Sequence, residues 1–137
     1  MIRPRLLVAD DHHLLREALV ELLVQAGFEV VGEAVDGADA VALAKQLEPD
    51  VVLMDLRMPV LGGLDATRLI KDACPDVQVV LLTAFESPAL AQQAEGAGCF
   101  AYLVKGCPPG DLRLTLHEAM AGRRTLLPPA GSPSVEA

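Results

Sequence analysis

Four short apolar runs each end in a polar residue with a chemically useful side chain. Asp10 and Asp11 close the run at 6–9, Asp55 follows the run at 51–54, Thr83 follows 77–82 and Lys105 follows 100–104. If the runs are neighbouring strands of one sheet, three carboxylates meet at one rim. Like charges at short range penalise one another's ionisation. A divalent cation relieves that repulsion, and an all-oxygen ligand set favours Mg²⁺ (or Mn²⁺) over zinc. Carboxylates, a divalent metal, an ammonium and a hydroxyl together suit phosphoryl transfer: metal and ammonium neutralise the transferring oxygens while an aspartate oxygen attacks in line. Each residue taken alone has an ordinary role, since an Asp after a strand is usually a turn former or helix cap, a Thr a strand residue and a Lys a solvated charge. Their conjunction at four run ends is what those roles explain poorly.

The elements that must position them are legible as two alternating periods. Strands are predicted at 6–9, 30–34, 51–54, 77–82 and 100–104. Between them, helical spacing places Leu15, Ala18, Leu19, Leu22, Leu23 and Ala26 on one stripe, with Arg16, Glu17, Glu21 and Gln25 off it. The next helices carry Ala40, Leu43, Ala44 and Leu47, then Ala66, Leu69, Ile70 and Ala73. A fourth starts at Ser87-Pro88, an N-cap followed by a proline suited to the first helical position. The fifth runs from about Pro109 to Ala121, with Leu112, Leu116, Ala119 and Met120 inward. Gly27, Pro49, Pro75, Gly96, Gly98 and Gly122 are the expected stops. Five strands alternating with five helices through short loops imply an α/β fold, a doubly wound parallel sheet covered on both faces. Glu29 and Glu33 mark the second strand as an edge. Residues 123–137, with Pro128, Pro129, Pro133 and Gly131, are expected to be a linker or tail beyond a domain at 1–122.

Composition narrows the partners. A chain of 137 residues can bury a core without staples. No apolar stretch is long enough to span a membrane, and the N-terminus lacks a signal-peptide pattern. The formal charge of −8 opposes direct DNA binding, which is driven by Lys and Arg displacing counterions. Cys74, Cys99 and Cys107 lack metal-ligand spacing and are expected to be free thiols, consistent with a cytoplasmic protein. His12 and His13 are expected to be solvated residues at a helix start, and Met54, Met58 and Met120 to be core or near-core.

The strings VADDH at 8–12, LMDLRMP at 53–59, LLTAF at 81–85 and AYLVK at 101–105 resemble the receiver domains of response regulators, the CheY-like superfamily. LGGLDATR at 61–68 and KGCPPGDL at 105–112 resemble its NarL/FixJ (LuxR-type) subfamily of transcription regulators. The resemblance covers residues 3–122 and implies a flavodoxin-like sheet of strand order 2-1-3-4-5. It implies that Asp55 is the phosphoacceptor for a sensor histidine kinase. Asp11 and Asp55 would bind Mg²⁺ with the Arg57 backbone carbonyl, and Asp10 would act through water. Lys105 would pair with the phosphoryl group, Thr83 would offer it a hydroxyl, and Tyr102 would be the switch aromatic. The expected role is a switch that assists its own phosphorylation and dephosphorylation, not a conventional enzyme. It would change the face made by the fourth helix, fifth strand and fifth helix, form a homodimer on phosphorylation, and control a DNA-binding output domain absent from this chain. A fragment ending at its linker is expected ahead of a stand-alone regulator; a phosphorylation-independent pseudo-receiver is the other alternative. A phosphatase of the haloacid-dehalogenase type would need an Asp two residues after its nucleophile, where this chain has Arg57. Two positions depart from the subfamily pattern: Val60 stands where glycine is common after Pro59, and Gly62 stands where an acidic or amide residue is common. Lys105 is followed by Gly106 instead of proline, so a cis bond there would lack proline's reduced penalty.

Overall fold

The structure is a computed structural model and describes residues 3–124. Its elements in chain order are β1 (Arg5–Ala9), α1 (His13–Gln25), β2 (Glu29–Ala34), α2 (Gly37–Leu47), β3 (Val51–Asp55), α3 (Gly63–Ala73), β4 (Gln78–Thr83), α4 (Pro88–Ala97), β5 (Ala101–Val104) and α5 (Pro109–Arg124). All strand pairs are parallel and the order is β2-β1-β3-β4-β5, as expected. Glu29 and Glu33 do lie on an edge strand. No helix among the described residues is long and apolar enough to cross a membrane.

Period-two alternation splits the strand side chains between two cores. Leu7, Ala9, Val52, Met54, Val79 and Leu81 face one side and pack with Ala40, Ala44, Ala66, Ile70 and Ala94 of α2, α3 and α4. Leu6, Val8, Val51, Leu53, Val80 and Leu82 face the other and meet Leu23 of α1 and Leu112, Leu116 and Ala119 of α5. Both faces of β3 are covered, and all five of its residues are buried. That explains an uninterrupted apolar strand instead of an alternating one. Ser87 accepts a hydrogen bond from the Leu90 N–H at 3.1 Å and Pro88 opens α4.

Two helical faces differ from the expected ones. On α1, Leu15 and Leu22 remain 45% and 38% exposed, whereas Arg16, placed off the stripe by its charge, is only 8% exposed. On α3, Leu69 and Ala73 are exposed and Thr67 is buried in their stead, its hydroxyl donating to the Gly63 carbonyl at 2.7 Å. In both cases a polar side chain found partners close by, which periodicity cannot register. Helix α5 continues through Gly122 to Arg124, so the linker read at 123–137 begins two residues inside a helix. Its remaining residues, 125–137, lie outside the described residues. The three cysteines are free, and burial pushes the Cys99 thiol up to about 11.

Candidate functional site

Sheet register decides which strand-end residues meet. Ala9 pairs with Met54, so the next residues, Asp10 and Asp55, stand at one level on adjacent strands. Thr83 follows Leu82, the partner of Asp55, and Lys105 follows Val104, the partner of Thr83. Lys105 therefore starts further along the sheet axis and across an intervening strand. Its long side chain spans that gap, placing Nζ 3.0 Å from Asp55 Oδ2 and 3.9 Å from Asp10 Oδ2. The Lys105–Gly106 peptide is trans, and Gly106 takes φ +89°, a left-handed turn glycine accepts without strain.

Asp10 and Asp55 are 1% and 4% exposed, while Asp11 is open to solvent. Asp10 Oδ1 accepts the His12 N–H at 2.9 Å, and Asp55 Oδ1 accepts the Arg57 N–H at 3.4 Å. Asp10 Oδ2 is buried with no hydrogen-bond partner among the described residues. Ligand atoms of Asp10, Asp11, His12 and Asp55 all lie within 4.8 Å of one another. Three carboxylates against one nearby ammonium leave two negative charges uncompensated, the charge that a divalent cation carries. The orphaned oxygen and the predominantly oxygen donor set fit Mg²⁺ or Mn²⁺.

His12 is a solvated helix-start residue as expected, its side chain 67% exposed at the N-cap of α1. What the sequence did not show is that its Nδ1 lies 3.3 Å from Asp10 Oδ1 and from Asp11 Oδ1. The Arg16 guanidinium and Glu33 were missed as well: Nη1 donates to the Asp10 carbonyl at 2.7 Å and Nε to Glu33 Oε1 at 3.0 Å. The available signal was an arginine in the helix turn that directly follows two acids.

Thr83 and Arg57 line an open cleft of about 540 Å³ beside Asp55 and Lys105, and Tyr102 lies outside its lining. Thr83, though buried, makes no hydrogen bond to Asp55: its hydroxyl donates to the Phe85 carbonyl at 2.9 Å and accepts from the Phe85 N–H at 3.2 Å. Tyr102 is half-buried against the core, and its hydroxyl donates to Glu86 Oε1 at 3.2 Å in the loop before α4. Phe85 and Arg57 line the same cleft, where they can shield a group on Asp55 from water.

The loop from β3 to α3 is held tight. A Cβ on Gly63 would stand 2.6 Å from the Asp55 carbonyl oxygen, so α3 starts against the backbone of Asp55 only because residue 63 has no side chain. Just before it, Val60 sits at φ +70° and 81% exposed, and Leu61 N–H bonds back to the Pro59 carbonyl at 2.7 Å, closing a three-residue turn. A β-branched residue in the left-handed region costs about 1–2 kcal/mol, which exceeds the ~0.5–1 kcal/mol of extra chain entropy that glycine loses. Val60→Gly is expected to raise stability by up to about 1 kcal/mol, read as a higher urea midpoint at unchanged slope. An unchanged or lowered midpoint would mean that this turn is not strained.

The model of the response regulator receiver domain matches residues 6–117. The chain belongs to that family. It is 38% identical over 125 residues to the response regulator GacA of Pseudomonas aeruginosa, covering 90% of this chain and 58% of GacA. It is 46% identical over 124 residues to the transcriptional regulatory protein PdtaR of Mycobacterium tuberculosis, covering 89% of this chain and 59% of that protein. The receiver thus spans less than two thirds of these curated relatives. Among solved structures, a LuxR-family two-component response regulator from Aurantimonas sp. SI85-9A1 superposes with a TM-score of 0.84 at 33% identity, covering 89% of this chain and 88% of that one. The expected membership in the CheY-like superfamily, with LuxR-type relatives, therefore holds.

Proposed function

We propose that this receiver is the phosphoacceptor switch of a two-component system, in which Asp55 takes a phosphoryl group from the phosphohistidine of a sensor histidine kinase. The observation that carries this is the Lys105 ammonium 3.0 Å from Asp55, beside the grouped Asp10 and Asp11, at the mouth of an open cleft. An Asp55 carboxylate oxygen forms the new bond to phosphorus as the bond from phosphorus to the imidazole nitrogen breaks. Lys105 shifts from the bare carboxylate to an oxygen of the arriving group. Asp11, Asp55 and the Arg57 backbone carbonyl would hold Mg²⁺ or Mn²⁺, with Asp10 acting through water. When bound, the metal supplies charge neutralisation on the phosphoryl oxygens. The same residues assist the later hydrolysis, so the domain acts on itself and not as an enzyme on a separate substrate.

The test is the intact mass after incubation with Mg²⁺ and a small phosphodonor, followed by hydroxylamine, which cleaves acyl phosphates. A hydroxylamine-sensitive phosphate adduct is expected. Absence of any adduct would favour a pseudo-receiver acting through protein contacts alone. Output is proposed to run through a DNA-binding domain outside this chain, in a cytoplasmic regulator that dimerises on phosphorylation. The receiver itself, at −8, is not expected to bind DNA.

Switching is proposed to begin at Thr83. Its hydroxyl now holds the Phe85 backbone, and turning toward a phosphoryl oxygen would release that loop. Tyr102, tied to Glu86 in the same loop, would then turn inward beside β5. A phosphate shifts the balance only through contacts that differ between the two packings. Thr83→Ala should therefore still take phosphate on Asp55 while the amide chemical-shift response across α4, β5 and α5 weakens. A response equal to wild type would remove Thr83 from the coupling.

A further inference from the structure

We infer that Arg16 is a positioning residue for the metal-binding acids, holding the backbone from which Asp10 and Asp11 project. This rests on the proposed role of those acids. The Asp10 carbonyl lies just beyond β1, where no strand partner continues the ladder, and Arg16 Nη1 donates to it at 2.7 Å. On the other side of the same residue, the Asp10 N–H donates to the Ala34 carbonyl at the end of β2 at 3.1 Å. Arg16 Nε donates to Glu33 Oε1 at 3.0 Å, also on β2, and Nη2 lies 3.2 Å from His13 Nδ1. One planar guanidinium thus joins the first turn of α1, the edge strand and the turn bearing the acidic pair. Its side chain is 10% exposed, although arginine has a large solvation demand, so these contacts hold it in place of water. Asp10 is anchored to β2 through both its backbone groups, directly on one side and through Arg16 and Glu33 on the other. Residues that orient a ligand without touching the metal typically change affinity by about 10–100-fold when removed.

Charge makes the inference sharp. Removing a cation beside a cation site should, by electrostatics alone, tighten Mg²⁺ binding. A role confined to packing would lower the melting temperature and leave affinity unchanged or improved. The positioning role gives the opposite sign. In Mg²⁺ titrations followed by the Asp11 and His12 amide resonances, Arg16→Met is expected to weaken binding about tenfold. Phosphorylation of Asp55 by a small phosphodonor should recover at saturating Mg²⁺. Arg16→Lys, which keeps the charge but loses the planar fork, is expected to bind between the two, roughly two- to threefold weaker than wild type. It also serves as the test if Arg16→Met does not fold. Mg²⁺ affinity at or above wild type in either variant would overturn the positioning role and leave the metal site standing. Failure of the wild-type protein to bind Mg²⁺ at these amides would overturn the metal site, and the positioning role with it.

Discussion

Replacing Asp55 by alanine or asparagine is expected to abolish covalent phosphorylation while the domain stays folded. Of the three candidate acids, Asp55 alone combines a place on the central strand with direct contact to Lys105. Asp10 also sits close to that ammonium, but at 3.9 Å, with one oxygen engaged by the His12 N–H. Retention of the fold follows from electrostatics. Asp55 and Asp10 are both buried and carry like charge, so neutralising one relieves repulsion even as it removes the partner of Lys105. Lys105 keeps contact with solvent, being 27% exposed, so its ammonium is not stranded. Intact mass after incubation with Mg²⁺ and a phosphodonor reads the first half, and thermal unfolding reads the second. An adduct at wild-type yield on Asp55→Ala would transfer the acceptor role to another residue.

Asp11→Asn is expected to lower Mg²⁺ affinity by roughly ten- to a hundredfold, because it removes both a ligand oxygen's charge and part of the attraction for the ion. Asp11 is the most exposed of the three acids, so its substitution should barely touch stability, in contrast to the buried Asp10. Phosphorylation should slow at limiting Mg²⁺ and approach wild-type yield when the metal is raised. Calorimetric titration with Mg²⁺ provides the affinity. Equal affinity in wild type and Asp11→Asn would place any bound metal elsewhere. On the proposed assignment the three acids would separate by what each loses: Asp55 the acceptor atom and a metal ligand, Asp11 a metal ligand, and Asp10 the turn that its Oδ1 closes on His12.

The architecture was legible before any coordinates because its signals are local. Runs such as VVLM at 51–54 are apolar throughout, as a strand buried on both faces is, and helices between such runs favour parallel pairing. The strand-end residues were legible for the same reason: a polar residue that breaks an apolar run marks the rim of the sheet. Asp10, Asp11, Asp55, Thr83 and Lys105 could therefore be named as a set from sequence alone. Distances between them could not be, because they depend on register across three strand pairs and on the reach of one lysine. The Thr83 hydroxyl is a case in point: its membership of the set was readable, its present engagement with the Phe85 backbone was not.

What the sequence by itself determined is therefore the fold and the polar residues at the strand ends. Tertiary structure alone decided how polar groups off those ends were recruited. Arg16 looks like a solvated residue in any helical projection, because periodicity sorts side chains by polarity and assigns charge to water. It is buried because Asp10 leaves a carbonyl beyond the ladder and Glu33 stands one strand over, so a guanidinium finds there the partners that water would otherwise supply. Hydrogen bonds between residues distant in sequence exist only once the chain has folded, and no local period encodes them.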